Sequence, residues 1–167
     1  MSKLADKIRR VSRFEAQPLG FVTARATKDA SIVLAGIAGD GKAATALMQS
    51  GADVVIIETA DGTVPSGLDE AITGAWLRDS TGAAALKTAG FDFAIFDPDT
   101  TPSTAVLEED IGYVMALPAD MTDVELRSIE AFQLDAIDVG ELTAGATVRK
   151  QIDLRRIFAL TRKPLLA

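Results

Sequence analysis

The chain contains neither histidine nor cysteine, and this narrows what its residues can do. Thiolate nucleophiles, disulfides, Cys- or His-ligated zinc and every Ser-His-Asp or Cys-His triad are excluded. Chemistry falls to Asp, Glu, Lys, Arg, Ser, Thr and the single Tyr113. One grouping of such residues follows short apolar runs: Glu58 and Asp61, Arg78 and Asp79, Asp97 and Asp99, and Glu141. Carboxylates so placed can serve as general acid and base, or hold Mg²⁺ or Mn²⁺ through oxygen ligands. Glu58 and Asp97, each closing an apolar run, are the leading candidates for both roles. Arg78 is the candidate clamp for a carboxylate or phosphate on a substrate. The other acids read first as turn and cap residues, since Asp and Glu are common there.

A second grouping is Gly36-Ile-Ala-Gly39-Asp40-Gly41-Lys42-Ala43. It fits G-x-x-x-x-G-K between a strand and a helix, where backbone amides cradle phosphates and the lysine reaches the β/γ oxygens. The run DVVIIETADG resembles the strand that carries the magnesium-side carboxylate in ParA- and SRP-like nucleotide hydrolases. Against this, Ala43 stands where a magnesium-binding Ser or Thr belongs, and Thr45 comes two residues late. Gly39, Gly41 and Lys42 are therefore candidates for an anion site at a helix amino terminus, with a degenerate P-loop as the nucleotide-binding alternative. A glycine-rich turn with no ligand is the simplest reading.

The elements that must position these residues recur with a regular beat. Apolar, β-branched runs predict strands at 31–38, 52–59, 72–79, 91–98, 110–118, 134–140 and 163–167. Helices are predicted at 41–51, 80–90, 121–132 and 147–161, with short ones at 67–72 and 103–110. Gly51 and Gly90 read as helix stops, Ser80 as an N-cap, and Thr122 with Glu125 as a capping box. A repeat of about 20 residues with helices between continuous apolar strands implies a parallel sheet covered by helices. Before it, Leu4, Ile8 and Val11 fall at helical spacing among Lys3, Lys7, Arg9, Arg10 and Arg13. That amphipathic helix suits either an anionic membrane surface or packing on the domain. Residues 1–30 thus read as a helix and extension, and 31–167 as one domain.

Composition supports a folded α/β domain: 48% of the residues are apolar and 25% charged, enough for a core and too ordered for a disordered chain. No apolar run reaches the roughly 18 residues of a membrane span, and no secretory signal is evident. A cytoplasmic location is the expectation. The net charge of −7 argues against nucleic acid, whose phosphates need a basic face. The charge is also unevenly placed, with residues 1–42 net +4, 43–126 net −13 and 127–167 net +2.

With its unit length and the joints SGADVVIIE and AGFDFAIFD, the chain resembles the (β/α)8 or TIM-barrel class. The texture is similar to that of flavin- and phosphate-binding barrels and class-II-type aldolases. The resemblance implies an active site at the carboxyl ends of the strands, and hence an enzyme acting on a small anionic metabolite, such as a divalent-metal lyase or isomerase. The alternative is a non-catalytic barrel serving as an assembly subunit. An ordinary barrel has eight strands and about 200–250 residues; only seven strands are evident after residue 30. An incomplete barrel leaves an open seam, so self-association or a missing partner segment is expected around residues 19–35 and 147–167.

Overall fold

The computed structural model describes residues 2–12, 33–58, 63–68, 70–77, 82–141 and 147–166. A single sheet of seven strands organises them: β1 (Ala35–Ala38), β2 (Val54–Ile57), β3 (Ile72–Trp76), β4 (Phe93–Phe96), β5 (Gly112–Ala116), β6 (Ala136–Asp138) and β7 (Leu165–Leu166). Every neighbouring pair is parallel, and the strands lie in chain order from β1 to β7. The sheet curls into a half-barrel. Among the described residues no pairing joins β7 back to β1. This is an open, barrel-like α/β fold.

Helices cover the convex face. They are α2 (Gly41–Gln49), α3 (Ala83–Thr88), α4 (Asp123–Ile129) and α5 (Val148–Thr161), with a single 3-10 turn at Ser103–Val106 after β4. The predicted stops act as expected, because Gly51 and Gly90 take φ of 96° and 94°, a left-handed conformation that glycine adopts without penalty. Thr122 and Glu125 form both hydrogen bonds of the capping box that starts α4. Two sequence expectations shift. The helix foreseen at 103–110 contracts to the 3-10 turn, and no helix forms among the described residues of 67–72, where Ser66 and Gly67 make a turn. Ser80, the expected cap of α3, lies outside the described residues; Gly82 occupies the N-cap position.

The sheet separates two apolar clusters. On the convex side Val55, Ile57, Ala94, Phe96 and Met115 pack against Leu86, Leu126 and Ile157 of the helices. On the concave side Val54, Ile56, Phe93, Ile95, Val114 and Ala136 form a second cluster with Leu4. Both faces being buried explains why β2 and β4 read as unbroken apolar runs. The concave cluster depends on one notch. Phe93 lies opposite Gly74 in the β3–β4 register, and a Cβ at Gly74 would overlap the Phe93 ring.

Leu4 belongs to α1 (Lys3–Ser12) and is fully buried. The helix closes the concavity at the amino ends of the strands, and charge fixes it there. Lys7 meets Asp53 Oδ1 at 2.6 Å and Lys3 meets Asp92 Oδ1 at 2.9 Å, while the Ser2 hydroxyl donates to Asp135. These acids immediately precede β2, β4 and β6. Asp53 and Asp92 each use the second oxygen to accept a backbone N–H from the neighbouring strand, Leu34 and Thr73 respectively, at 3.0 Å. Gly112 keeps the approach open, since a Cβ there would strike both Asp135 and Ser2. Two of the basic residues of α1, Lys3 and Lys7, thus pair with acids of the sheet.

The hydrogen bond from Lys7, with that from the Leu34 amide, holds the Asp53 carboxyl below its ordinary value. Burial pushes Asp135 the other way. A carboxylate whose pKa is lowered by folding adds stability above its unfolded pKa of about 4 and loses it as pH falls through the folded value. Lys7→Met should therefore be less stable than wild type at pH 7, with the gap closing below about pH 4; urea unfolding at pH 3 and pH 7 measures it. In the core, Leu4→Ala is expected to cost about 2–5 kcal/mol by cavity formation. Gly74→Ala should cost about 1–3 kcal/mol by overpacking against Phe93. Equal effects from a substitution on the exposed side of α1, such as Arg10→Ala, would contradict the plug.

Candidate functional site

Register decides which charged residues share the carboxyl-terminal rim. In a parallel ladder, paired residues point to the same face and alternate residues along a strand point together. One concave row runs Trp76, Ile95, Val114 and Ala136. Ile95, Val114 and Ala136 are buried and Trp76 is partly so, giving an apolar floor. The next row contains Ala116, Asp138 and Leu166. Phe96 pairs with Met115, so the same register sets Asp97 level with Ala116. Asp97 and Asp138 therefore stand at one height on either side of Ala116. Two strand spacings separate them, about 10 Å along the sheet and less across its curled chord.

Each of these aspartates is oriented by its own turn. Asp97 Oδ1 accepts the Asp99 amide at 2.9 Å, and Asp138 Oδ1 accepts the Gly140 amide at 2.9 Å. Gly140 takes φ of 71°, which lets the chain turn sharply after β6. A turn of this kind fixes the carboxylate plane while engaging one oxygen. Both side chains are partly exposed.

Glu58 falls elsewhere. Ile57 pairs with Ala75, so Glu58 is level with Trp76, in the row below Asp97 and two strands away. Along the sheet that is a separation of about 12 Å. Glu58 is exposed, and its amide bonds the Ala38 carbonyl at 2.9 Å. Arg78, Asp61 and Asp79 lie outside the described residues. Glu141 is exposed just past the Gly140 turn. Among the described residues no group of three or more acidic side chains is placed to hold a metal ion. Asp138 was missed in the sequence because the predicted strand ran on to residue 140 and hid that this acid ends it. Its one visible signal was D-V-G, an aspartate two residues before a glycine, matching D-P-D at Asp97.

The G-x-x-x-x-G-K run has a packing explanation. Asp40 caps α2, its carboxylate accepting the Ala43 amide at 2.8 Å, so a carboxylate already occupies the helix amino terminus. Neither Gly39 nor Gly41 takes a positive φ, the alternation an anion-binding nest requires. Gly36 and Gly41 are instead close-approach positions: a Cβ at Gly36 would lie 2.8 Å from Leu47, and one at Gly41 2.8 Å from Pro65. Lys42 is exposed and borders, with Thr45 and Ser66, an open cavity of about 650 Å³.

No protein-family model matches the chain, and no curated protein or solved structure is significantly similar to it. No helix among the described residues is long and apolar enough to cross a membrane.

Gly41→Ala should lower stability by about 1 kcal/mol through the Pro65 contact, whereas Lys42→Ala should leave the melting temperature unchanged with or without phosphate. A phosphate-dependent rise in the wild-type melting temperature that Lys42→Ala abolishes would restore the anion site.

Proposed function

We propose that the chain is a (β/α)-barrel-type enzyme whose site is the carboxyl-terminal rim of the concave face, and that it acts on a small anionic metabolite. The observation that carries this reading is the placement of Asp97 and Asp138 at one height over an apolar floor, with only Ala116 between them. A planar or extended small molecule lying over Ala116 would have one carboxylate at each side. That arrangement suits proton removal on one side and proton delivery on the other, the balance of an isomerisation or an elimination. The buried floor of Ile95 and Val114 limits water beneath the ligand and strengthens its polar contacts.

An acidic rim repels an anion unless a cation faces it. Arg78 is the proposed clamp, through a bidentate contact to a carboxylate or phosphate. Glu58, one row lower, would contact the end of a longer substrate. Mg²⁺ or Mn²⁺ is not needed in this scheme. The two rim aspartates stand apart and each has an oxygen engaged in a turn, so they do not converge on one ion, and no step is routed through a metal.

A thermal-shift screen against sugar phosphates, small dicarboxylates, FMN, ATP and Mg²⁺ tests the proposal. A small phosphate or carboxylate should raise the melting temperature of the wild type. Asp97→Asn, Asp138→Asn and Arg78→Ala should each remove most of that rise while keeping the unliganded melting temperature within a few degrees. A ligand response that survives all three substitutions, or one seen only with ATP and Mg²⁺, would overturn it.

A further inference from the structure

Among the described residues, the layer of helices on the convex face has a gap, and one helix has a face that none of them covers. The gap lies over β4 and β5. There the connection holds only the four-residue turn Ser103–Val106, where α5 has 14 residues. What remains is a groove of about 470 Å³ lined by Phe96, Val106, Leu107, Tyr113 and Phe132. Leu107 is 71% exposed and Phe132 63%, a large apolar presentation for a surface. Phe96 and Tyr113 meet edge-to-face with ring centroids 6.2 Å apart, and the Tyr113 hydroxyl is held by the backbone of Glu108 at 3.0 Å. The groove is therefore a formed feature. Its rim carries Glu108 and Glu109, with Asp110 next to them; Lys87 binds Glu108 at 2.7 Å and Asp110 at 3.0 Å, so Glu109 is the acid left without an ion pair among the described residues.

The unaccompanied face belongs to α5. Ile157 and Thr161 point inward and are buried. On the opposite side Val148, Ile152 and Phe158 are exposed at 72%, 56% and 57%. Helical spacing places Arg155 among them, and Arg149 stands beside Val148. The surface is a face about 120° wide on which these three apolar side chains alternate with the exposed Gln151 and Arg155, while Arg149 at its edge pairs with Asp153.

We propose that α5 of one copy of this chain docks in the β4–β5 groove of a second copy, supplying there the helix that the 3-10 turn does not. The two surfaces agree in character. The α5 face sets apolar side chains around Arg155, and the groove is apolar with Glu109 on its rim, neither charge being paired among the described residues. Phe158 is the anchor for the space between Leu107 and Phe132, and Arg155 faces Glu109, for which no ion pair appears among the described residues. The contact joins two different surfaces, so it is head-to-tail and leaves one free end of each kind. Electrostatic complementarity of this sort sets orientation and makes association sensitive to salt. Self-association through residues 147–167 is the sequence expectation, and the groove supplies its counterpart within the acidic segment 43–126.

Size-exclusion chromatography with light scattering, run from low to high protein concentration, tests it. Wild type should show masses rising above the 17.6 kDa of the monomer, and 0.5 M NaCl should lower them. Phe158→Asp and Leu107→Asp should each be monomeric, with circular dichroism and melting temperature close to wild type. Their mixture should form a 1:1 dimer, because Phe158→Asp keeps an intact groove and Leu107→Asp an intact α5 stripe. Arg155→Glu should weaken association at least tenfold, and Glu109→Arg in the partner copy should restore it. A wild type that stays monomeric at millimolar concentration would show the stripe to be covered by the chain itself or by another partner, and would overturn the proposal. So would dimers that survive Leu107→Asp but not Phe158→Asp, which indicate a symmetric α5–α5 contact.

Discussion

The structure rests on the pairing of α1 with the aspartates that precede β2, β4 and β6. A curled parallel sheet has an apolar concave face, and a face with nothing against it would expose Val54, Phe93 and Val114 to water. Leu4 fills the amino-terminal end of that space. Asp53 and Asp92 perform two jobs with their two oxygens: one accepts a neighbouring strand's amide and the other binds a lysine of α1. Strand pairing and plug are thereby tied to the same side chains. Substituting either acid would release a strand-end amide and a lysine together, a loss larger than that of an ordinary surface ion pair.

This arrangement divides labour between the two ends of the strands. The amino-terminal end is closed by charge and packing, and its acids have partners. At the carboxyl-terminal end the acids are oriented by one-turn loops and leave oxygens directed to no described side chain. Barrel architectures place stability at one end of the strands and chemistry at the other, and the proposed site follows that pattern. Here the division arises from very local causes. An aspartate just before a strand can reach the adjacent strand's first amide, whereas an aspartate just after one caps the turn that follows.

The convex face follows a different logic. Helices of unequal length cover it, so exposure varies around the sheet. The short turn after β4 leaves aromatic residues accessible, and the long α5 carries apolar residues that its own sheet cannot bury. Both are consequences of loop and helix length rather than of any unusual residue. Charge then distinguishes them, one carrying Glu109 and the other Arg155.

Much of the fold was legible in the chain itself. Continuous apolar runs at a steady interval specify buried parallel strands, because only strands covered on both faces dispense with alternation. Gly51, Gly90, Thr122 and Glu125 marked helix ends for reasons internal to each residue: left-handed backbone in the glycines, reciprocal capping in the Thr–Glu pair. The glycines of the G-x-x-x-x-G-K run read ambiguously for an equally physical reason, since glycine serves close packing, here of Gly36 against Leu47 and Gly41 against Pro65, as readily as it serves a phosphate. Tertiary structure alone decided the rest. That Lys3 and Lys7 of α1 meet Asp92 and Asp53 depended on partners distant in sequence, 46 residues away for Lys7 and Asp53. That Asp97 is level with Asp138, and Glu58 with Trp76, depended on strand register. Register is fixed by contacts such as Phe93 in the notch at Gly74, and no single segment of the chain contains both halves of such a contact.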